Sequence, residues 1–358
     1  SCTPCPYCEQ VPQTIIILPQ EKLLALILEK CKDLEFQTFV LGILNPDKYP
    51  KPWMRTHFHD LKVFLGETLT TLWNDRRVNF THPEARINFC PVRGEIHVET
   101  APIYLAGRYL KLSRQITSSY WIHHACHGKG CDSCASRGSQ FEFSIEEFLD
   151  QQIRVHFQSK DRKFHVMGRE DIDVLMLGKG RPFIFEIYQP QKRVVSLEKL
   201  LESLQGEPRA QITYLTYVDA NSVSLLKNTE PDKIYHAHVE CNATLPEDLS
   251  QKLSVLQGCV LSQKTPLRVI KRRVDKFRKR KILQLQVEKQ TKSSFEVTLQ
   301  TEAGTYIKEL ISGDEGRTQP NFSSILGLDA KCVQLDVLEI VWTAPWENEN
   351  KLLAKTQK

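Results

Sequence analysis

Nothing in this chain is apolar for long enough to cross a bilayer, which takes about 20 residues. The longest runs, 15–18 and 23–28, are short and separated by polar residues. The opening residues are rich in Cys and Pro rather than basic and then apolar, so no secretory leader and no membrane partner are expected. Internal repeats are absent, and the only biased tract is basic. Net charge is small, +5 over 358 residues, so composition alone does not mark a polyanion binder. The chain starts with Ser1 rather than Met and is expected to be a fragment that lacks its natural start.

Cysteine is not scarce: there are 11. The chain is too long for a small disulfide-stapled scaffold, and several cysteines stand at close spacing, which suggests thiolate metal sites in a reducing compartment. An intracellular protein is expected, with cytoplasm, nucleus and organelle all left open. A hydrophobic fraction of 41% and a charged fraction of 25% fit a globular chain of about two domains.

Apolar positions Leu23, Leu24, Ile27 and Leu28 have helical spacing, FQTFVLGIL (36–44) reads as a strand, and 61–73 reads as a helix. Short alternating stretches from 86 to 109 read as strands. An α+β first domain is therefore placed at 1–120. Residues 121–140 are polar and rich in Gly and Cys, like a metal-bound insertion. Ser144 with Glu147 three residues on opens a helix over 144–153. Beyond it, strands at 172–178, 181–188, 211–218, 233–240, 282–288, 295–300 and 331–342 alternate with helices near 195–205 and 305–312. The second domain, 141–358, is thus α+β with a large, mostly antiparallel sheet.

Three motifs carry chemistry. Gly168-Arg169-Glu170-Asp171 precedes an apolar strand; Gly allows a sharp turn, and Arg can hold a phosphate. Lys233-Ile234-Tyr235 lies on a strand whose alternation puts Lys233 and Tyr235 on one face, where an aromatic can stack on a flipped base. Gly304-Thr305-Tyr306-Ile307-Lys308 offers a cation that can keep a nearby carboxylate ionised. Each alone has an ordinary structural reading: a capped turn, a core tyrosine, a solvated lysine. A fourth feature, RVIKRRVDKFRKRK (268–281), sets nine Lys/Arg against one Asp. It reads either as a phosphate-tracking surface or as a solvated face.

In this order and at these separations the three motifs resemble the catalytic signatures of pseudouridine synthases. GREDIDVLMLGKGRPFIFEI (168–187), KTPLRVIKRR (264–273), TEAGTYIKELISGDEGRTQPN (301–321) and AGRYLKLSRQ (106–115) resemble the tenth family of these enzymes, found in archaea and many eukaryotes. The resemblance covers about residues 77–345. Two positions depart from it. Leu175 stands where the family often carries Arg, and Gln189 stands where Asn is expected.

The resemblance implies a catalytic carboxylate at Asp171, a stacking aromatic at Tyr235 and a basic partner at Lys308, with no cofactor for the chemistry. It implies a tRNA substrate modified in the T arm, at positions 54 and/or 55, and an N-terminal accessory domain containing a THUMP fold. Candidate RNA-binding residues are Arg169, Arg108, Lys111, Arg114, Arg268, Lys271, Arg272 and Arg273. Structural zinc is expected from Cys2 and Cys5, as half of an N-terminal site, and from His123, Cys126, Cys131 and Cys134, whose spacing suits a tetrahedral ion. A monomer is the default. Two other classes compete: a non-catalytic tRNA-binding module, and a metal-dependent nuclease using Asp171, Asp173 and Glu186. Tyr188 stands where such nuclease sites usually carry Lys.

Overall fold

The structure is a computed structural model that describes residues 18–44 and 57–347. The chain divides into two compact units. The smaller comprises residues up to Ile103 with Ile153–Lys163 and Glu186–Ser196; the larger comprises Tyr104–Gln152, Phe164–Phe185 and the chain from Leu197 on.

The smaller unit is built from α1 (Gln20–Cys31), β1 (Thr38–Ile43), α2 (His59–Trp73), β2 (Arg77–Val78), β3 (Ala85–Phe89) and β4 (Ile96–Thr100). Its four strands run in the order β2-β1-β3-β4. β1 is parallel to β2 and β3, and β3 is antiparallel to β4. Leu23 and Ile27 of α1 and Leu61, Leu65 and Leu69 of α2 recur at helical spacing, and all are buried against Phe39, Ile87 and Phe89 of the sheet.

The larger sheet holds ten strands. Its elements follow in chain order: β5 (Ile103–Lys111), α3 (Ile145–Phe157), β6 (Asp161–Val166), β7 (Leu175–Tyr188), α4 (Leu197–Ser203), β8 (Ala210–Val218), α5 (Asn221–Asn228), β9 (Lys233–Cys241) and α6 (Leu249–Ser254). β10 (Val260–Lys264), a 3-10 turn (Leu267–Arg272), β11 (Phe277–Glu288), β12 (Ser294–Thr301), α7 (Ile307–Ser312), β13 (Thr318–Gln319), α8 (Phe322–Leu326) and β14 (Ala330–Ile340) complete it. The strand order is β13-β10-β11-β12-β9-β14-β7-β5-β8, with β6 paired to β7. β14 and β7 are parallel, while β9–β12, β9–β14, β11–β12 and β5–β8 are antiparallel. The α+β class with a mixed, largely antiparallel sheet is what the sequence pattern gives.

The two strands expected at 172–178 and 181–188 are one long strand, β7. Glycine explains the continuity. Gly178 has φ +60°, and a Cβ there would stand 2.1 Å from the carbonyl oxygen of Leu338. The chain bends without breaking, because only Gly tolerates both the angle and the approach. The Ser144 cap is formed as expected: its Oγ accepts from the Glu147 amide at 3.2 Å and donates to the Glu147 carboxylate at 2.7 Å. Among the described residues no helix is long and apolar enough to cross a membrane.

Candidate active site

The loop between β6 and β7 sets the geometry. Gly168 has φ +72°, and a Cβ there would lie 3.1 Å from Lys233 Nζ and 3.3 Å from Arg181 Nη1. Glycine thus permits both the turn and the close approach of two cations. Past the turn, successive side chains part company. Glu170 goes inward and ion-pairs with Arg181 Nε at 2.7 Å, the two side chains being 0% and 1% exposed. The Tyr109 hydroxyl donates to Glu170 at 3.2 Å, and Arg181 Nη1 donates to the Met167 carbonyl at 2.6 Å. A buried pair offsets its desolvation only through such added bonds, and here they tie the loop to β5 and β7.

Beneath the loop lies Lys111, fully buried. Its ammonium donates to the carbonyls of Asp171 (3.1 Å), Ile172 (2.7 Å) and Val174 (2.8 Å). Burial pulls its pKa down to about 8, against the charges of Glu170 and Asp173. Lys111 is therefore an internal clamp on the backbone that presents Asp171.

Asp171 itself is 39% exposed and faces cations. Arg268 Nη1 donates to its Oδ2 at 2.7 Å, and Lys308 Nζ stands 3.6 Å away. Lys308 makes its short bonds to Asp173, at 2.7 and 2.9 Å. Arg268 also donates through Nε to Glu309 at 2.6 Å, and Glu309 is buried. Burial alone would weaken the Arg268 cation, but the bonds and charges of Glu309 and Asp171 outweigh it and raise its pKa. Burial likewise opposes ionisation of Asp173, and Lys308 outweighs it, holding that carboxyl below its ordinary range. α7 is fixed at its start by Gln263 of β10, whose amide accepts from the Tyr306 N–H at 2.9 Å and donates to the Tyr306 carbonyl at 2.9 Å.

Tyr235 sits 8% exposed in a hollow of about 410 Å³ that Asp171 also lines. Burial, resisted by Arg181, pushes its phenol up to about 12, so the ring is neutral at pH 7. Lys233 lines the same hollow; burial and then Arg181 pull its pKa down to about 8. The cations on the walls are Arg169, Arg181, Lys227, Lys233, Arg268, Arg273, Arg278, Arg280 and Lys308, against the acids Glu170, Asp171 and Glu230. An anionic ligand fits such walls. A second hollow, of about 460 Å³, shares Arg169, Glu170, Asp171, Arg268, Val269, Arg273 and Lys308, and adds Thr117, Ser118, Trp121, Ile172 and Asp173.

Asp171, Tyr235 and Lys308, separated in sequence, therefore meet around one hollow, with Arg169, Arg268 and Arg273 on its walls. Lys271 is exposed. The side chain of Arg272 lies outside the described residues, as do Cys2 and Cys5. An RNA footprint from Arg108, Lys111 and Arg114 does not hold in full. Arg108 is 2% exposed, donating to Glu347 (2.8 Å) and to the carbonyls of Gly180 (2.9 Å) and Trp342 (2.6 Å). Lys111 is the clamp described above. Arg114, 30% exposed, bonds Asp336 at 2.7 Å and the Asp173 carbonyl at 2.6 Å. Arg108 and Lys111 are thus buried and bonded within the protein, whereas Arg114 keeps part of its guanidinium exposed. Sequence reasoning missed Glu170, Arg181, Lys111 as a clamp, and Trp121. For Arg181 the signal was present: a cation inside the apolar strand RPFIFEI.

His123, Cys126, Cys131 and Cys134 converge. Cys126 Sγ lies 3.4 Å from His123 Nδ1 and 3.9 Å from Cys134 Sγ; Cys131 Sγ lies 3.6 Å from His123 Nδ1 and 3.8 Å from Cys134 Sγ. Amides of Cys131 and Gly138 each donate to Cys134 Sγ at 3.3 Å. Burial opposes the Cys134 thiolate, but these donors outweigh it and bring its pKa down to about 7.

The chain matches the family model described as "Pus10, C-terminal" over residues 104–341. It is 35% identical over 358 aligned residues to the tRNA pseudouridine synthase Pus10 of Methanocaldococcus jannaschii, covering 98% of this chain and 77% of the relative. It is 40% identical over 282 aligned residues to that of Methanothermobacter marburgensis, covering 77% and 69%. A crystal structure of a Cbf5-Nop10-Gar1 complex aligns over 65% of this chain and 58% of its own at 16% identity, with a TM-score of 0.35, too weak a likeness to carry an argument. The sequence matches make the chain a pseudouridine synthase by class. Within that class it belongs to the Pus10 family.

Proposed function

We propose that the protein isomerises uridine to pseudouridine in the T arm of tRNA, at position 54, 55 or both, with Asp171 as the essential carboxylate and no cofactor in the chemistry. The observation that carries this reading is the meeting of Asp171, Tyr235 and a wall of cations around one hollow. The reaction breaks the bond from N1 to C1′, turns the base, and joins C5 to C1′, with no net redox change. A carboxylate serves as nucleophile or base in such chemistry. Arg268 and Lys308 stand beside it, at 2.7 and 3.6 Å. Tyr235 offers a neutral ring face to the uracil, and Arg169 holds a phosphate. Extruding the base costs on the order of a few kcal/mol, offset by stacking and hydrogen bonding.

The N-terminal part, with its THUMP fold, grips tRNA, and the protein acts as a monomer. His123, Cys126, Cys131 and Cys134 hold a structural zinc ion. Their mutual distances support this, since ligands about 2.3 Å (S) and 2.0 Å (N) from a tetrahedral ion stand about 3.5–3.8 Å apart. Zinc there would stabilise the fold and take no part in the reaction. Arg268 and Lys308 contact Asp171, and cations at that carboxylate speak against a metal ion there and so against the nuclease reading.

The test is incubation with an unmodified tRNA transcript, without added metal, followed by chemical mapping of pseudouridine. Pseudouridine in the T arm is the expected result. Salt-dependent binding with no pseudouridine would leave a tRNA-binding module as the better reading.

A further inference from the structure

Tyr235 lines the first hollow and not the second. Asp171 lines both, so the two hollows adjoin at the carboxylate. At about 460 Å³ the second falls within the usual size of small-molecule sites, about 300–1,000 Å³. The residues that it alone adds are Ser118, Ile172, Asp173, partly exposed Trp121, and Thr117, whose buried hydroxyl has no hydrogen-bond partner among the described residues. Its cations include Arg169, which is exposed and makes no ion pair among the described residues, and Arg273.

Trp121 is held in place within a hairpin. Its ring meets Phe141 edge-on at 5.7 Å, and its carbonyl accepts from the Gln140 amide at 2.8 Å. The next rungs are the Ile122–Ser139 bridge and the bond from the His123 amide to the Gly138 carbonyl at 2.8 Å. The Cys/His cluster closes this hairpin immediately beyond, so the cluster fixes the segment that presents the indole.

We propose that the second hollow is a subsite for a nucleotide directly flanking the target uridine, whose base stacks on Trp121 while Arg169 or Arg273 takes the intervening phosphate. This rests on the reading of the first hollow as the target-base pocket. A flipped nucleotide stays covalently tied to its neighbours, so a chain passing Asp171 must place one of them nearby. An aromatic face with adjacent cations is the arrangement that holds a single-stranded base irrespective of its identity. Neither Trp121 nor Thr117 lines the first hollow.

The experiment measures affinity for tRNA transcripts carrying an abasic nucleotide immediately 5′ or 3′ of the target, using the intact protein, Trp121→Leu and Trp121→Phe. Leu keeps an apolar contact to Phe141 but has no ring face; Phe keeps the ring. One of the two abasic RNAs is expected to bind the intact protein about tenfold more weakly than the unaltered RNA. Trp121→Leu should bind the unaltered RNA about tenfold more weakly and cease to distinguish the abasic RNA, while Trp121→Phe should still distinguish it. Equal binding of all three RNAs by the intact protein would overturn the proposal, as would undiminished discrimination by Trp121→Leu. Affinity is read without turnover. A protein that discriminates flanking bases but makes no pseudouridine would keep this subsite and lose the isomerase reading instead.

Discussion

Three cations near Asp171 do three different things, and substitutions should separate them. Lys111 orients backbone, so Lys111→Met should lower kcat by about 10²-fold with little change in tRNA affinity, because small displacements of a reacting group are costly. Equal loss of affinity and turnover would contradict the clamp. Lys233 carries a charge at a cost. Its pKa in the folded chain is about 8 against an ordinary 10.5. The penalty is full below pH 8 and fades as pH rises toward 10.5, where folded and unfolded chains both hold a neutral amine. Lys233→Met should therefore stabilise the protein at pH 7 by on the order of 2 kcal/mol. That gain should shrink by pH 10 in thermal melts, and tRNA binding should weaken at neutral pH. Arg268 joins Asp171 to buried Glu309. Arg268→Met leaves Glu309 uncompensated and should cost about 2 kcal/mol of stability as well as most activity. Adding Glu309→Leu should restore the melting temperature without restoring turnover.

At the scale of elements, the parts that show a period or a cap were legible. α3 announced itself through Ser144 and Glu147, and β12 alternates strictly between partly exposed and buried positions. β11 begins at Phe277, inside the basic run, and was missed there because FRKRK alternates charge with charge and hides its inward face. β10 and α6 lie where no strong period stands out. β7 looks like two strands in the sequence because Gly178 and Gly180 interrupt its apolar pattern, whereas Gly178 is a bend against β14. That bend makes a prediction: Gly178→Ala should destabilise the protein by about 2–3 kcal/mol, as its Cβ meets the Leu338 carbonyl. Unchanged denaturant unfolding would contradict a close approach of Gly178 to the Leu338 carbonyl.

At the scale of the whole molecule, the site was legible where its residues belong to short local motifs, as Asp171, Tyr235 and Lys308 do. It was illegible where exposure depends on distant packing. Nothing in AGRYLKLSRQ says that Arg108 and Lys111 face inward, because strands far off in sequence bury them. The surface cations that remain should give steeply salt-dependent tRNA binding, and Arg273→Ala should reduce the slope of log affinity against log salt by about 1. The Cys/His hairpin should carry about one zinc ion per chain by elemental analysis. Chelation should then lower the melting temperature, and the absence of zinc from freshly purified protein would contradict that assignment.

All of this turns on one carboxylate. The most direct test compares the intact protein with Asp171→Asn on the same unmodified tRNA, mapping pseudouridine and measuring tRNA affinity in parallel. The account predicts T-arm pseudouridine from the intact protein, none from the variant, and affinities within a few-fold of each other. Pseudouridine formed by Asp171→Asn at an undiminished rate would place the chemistry on another residue and contradict the account.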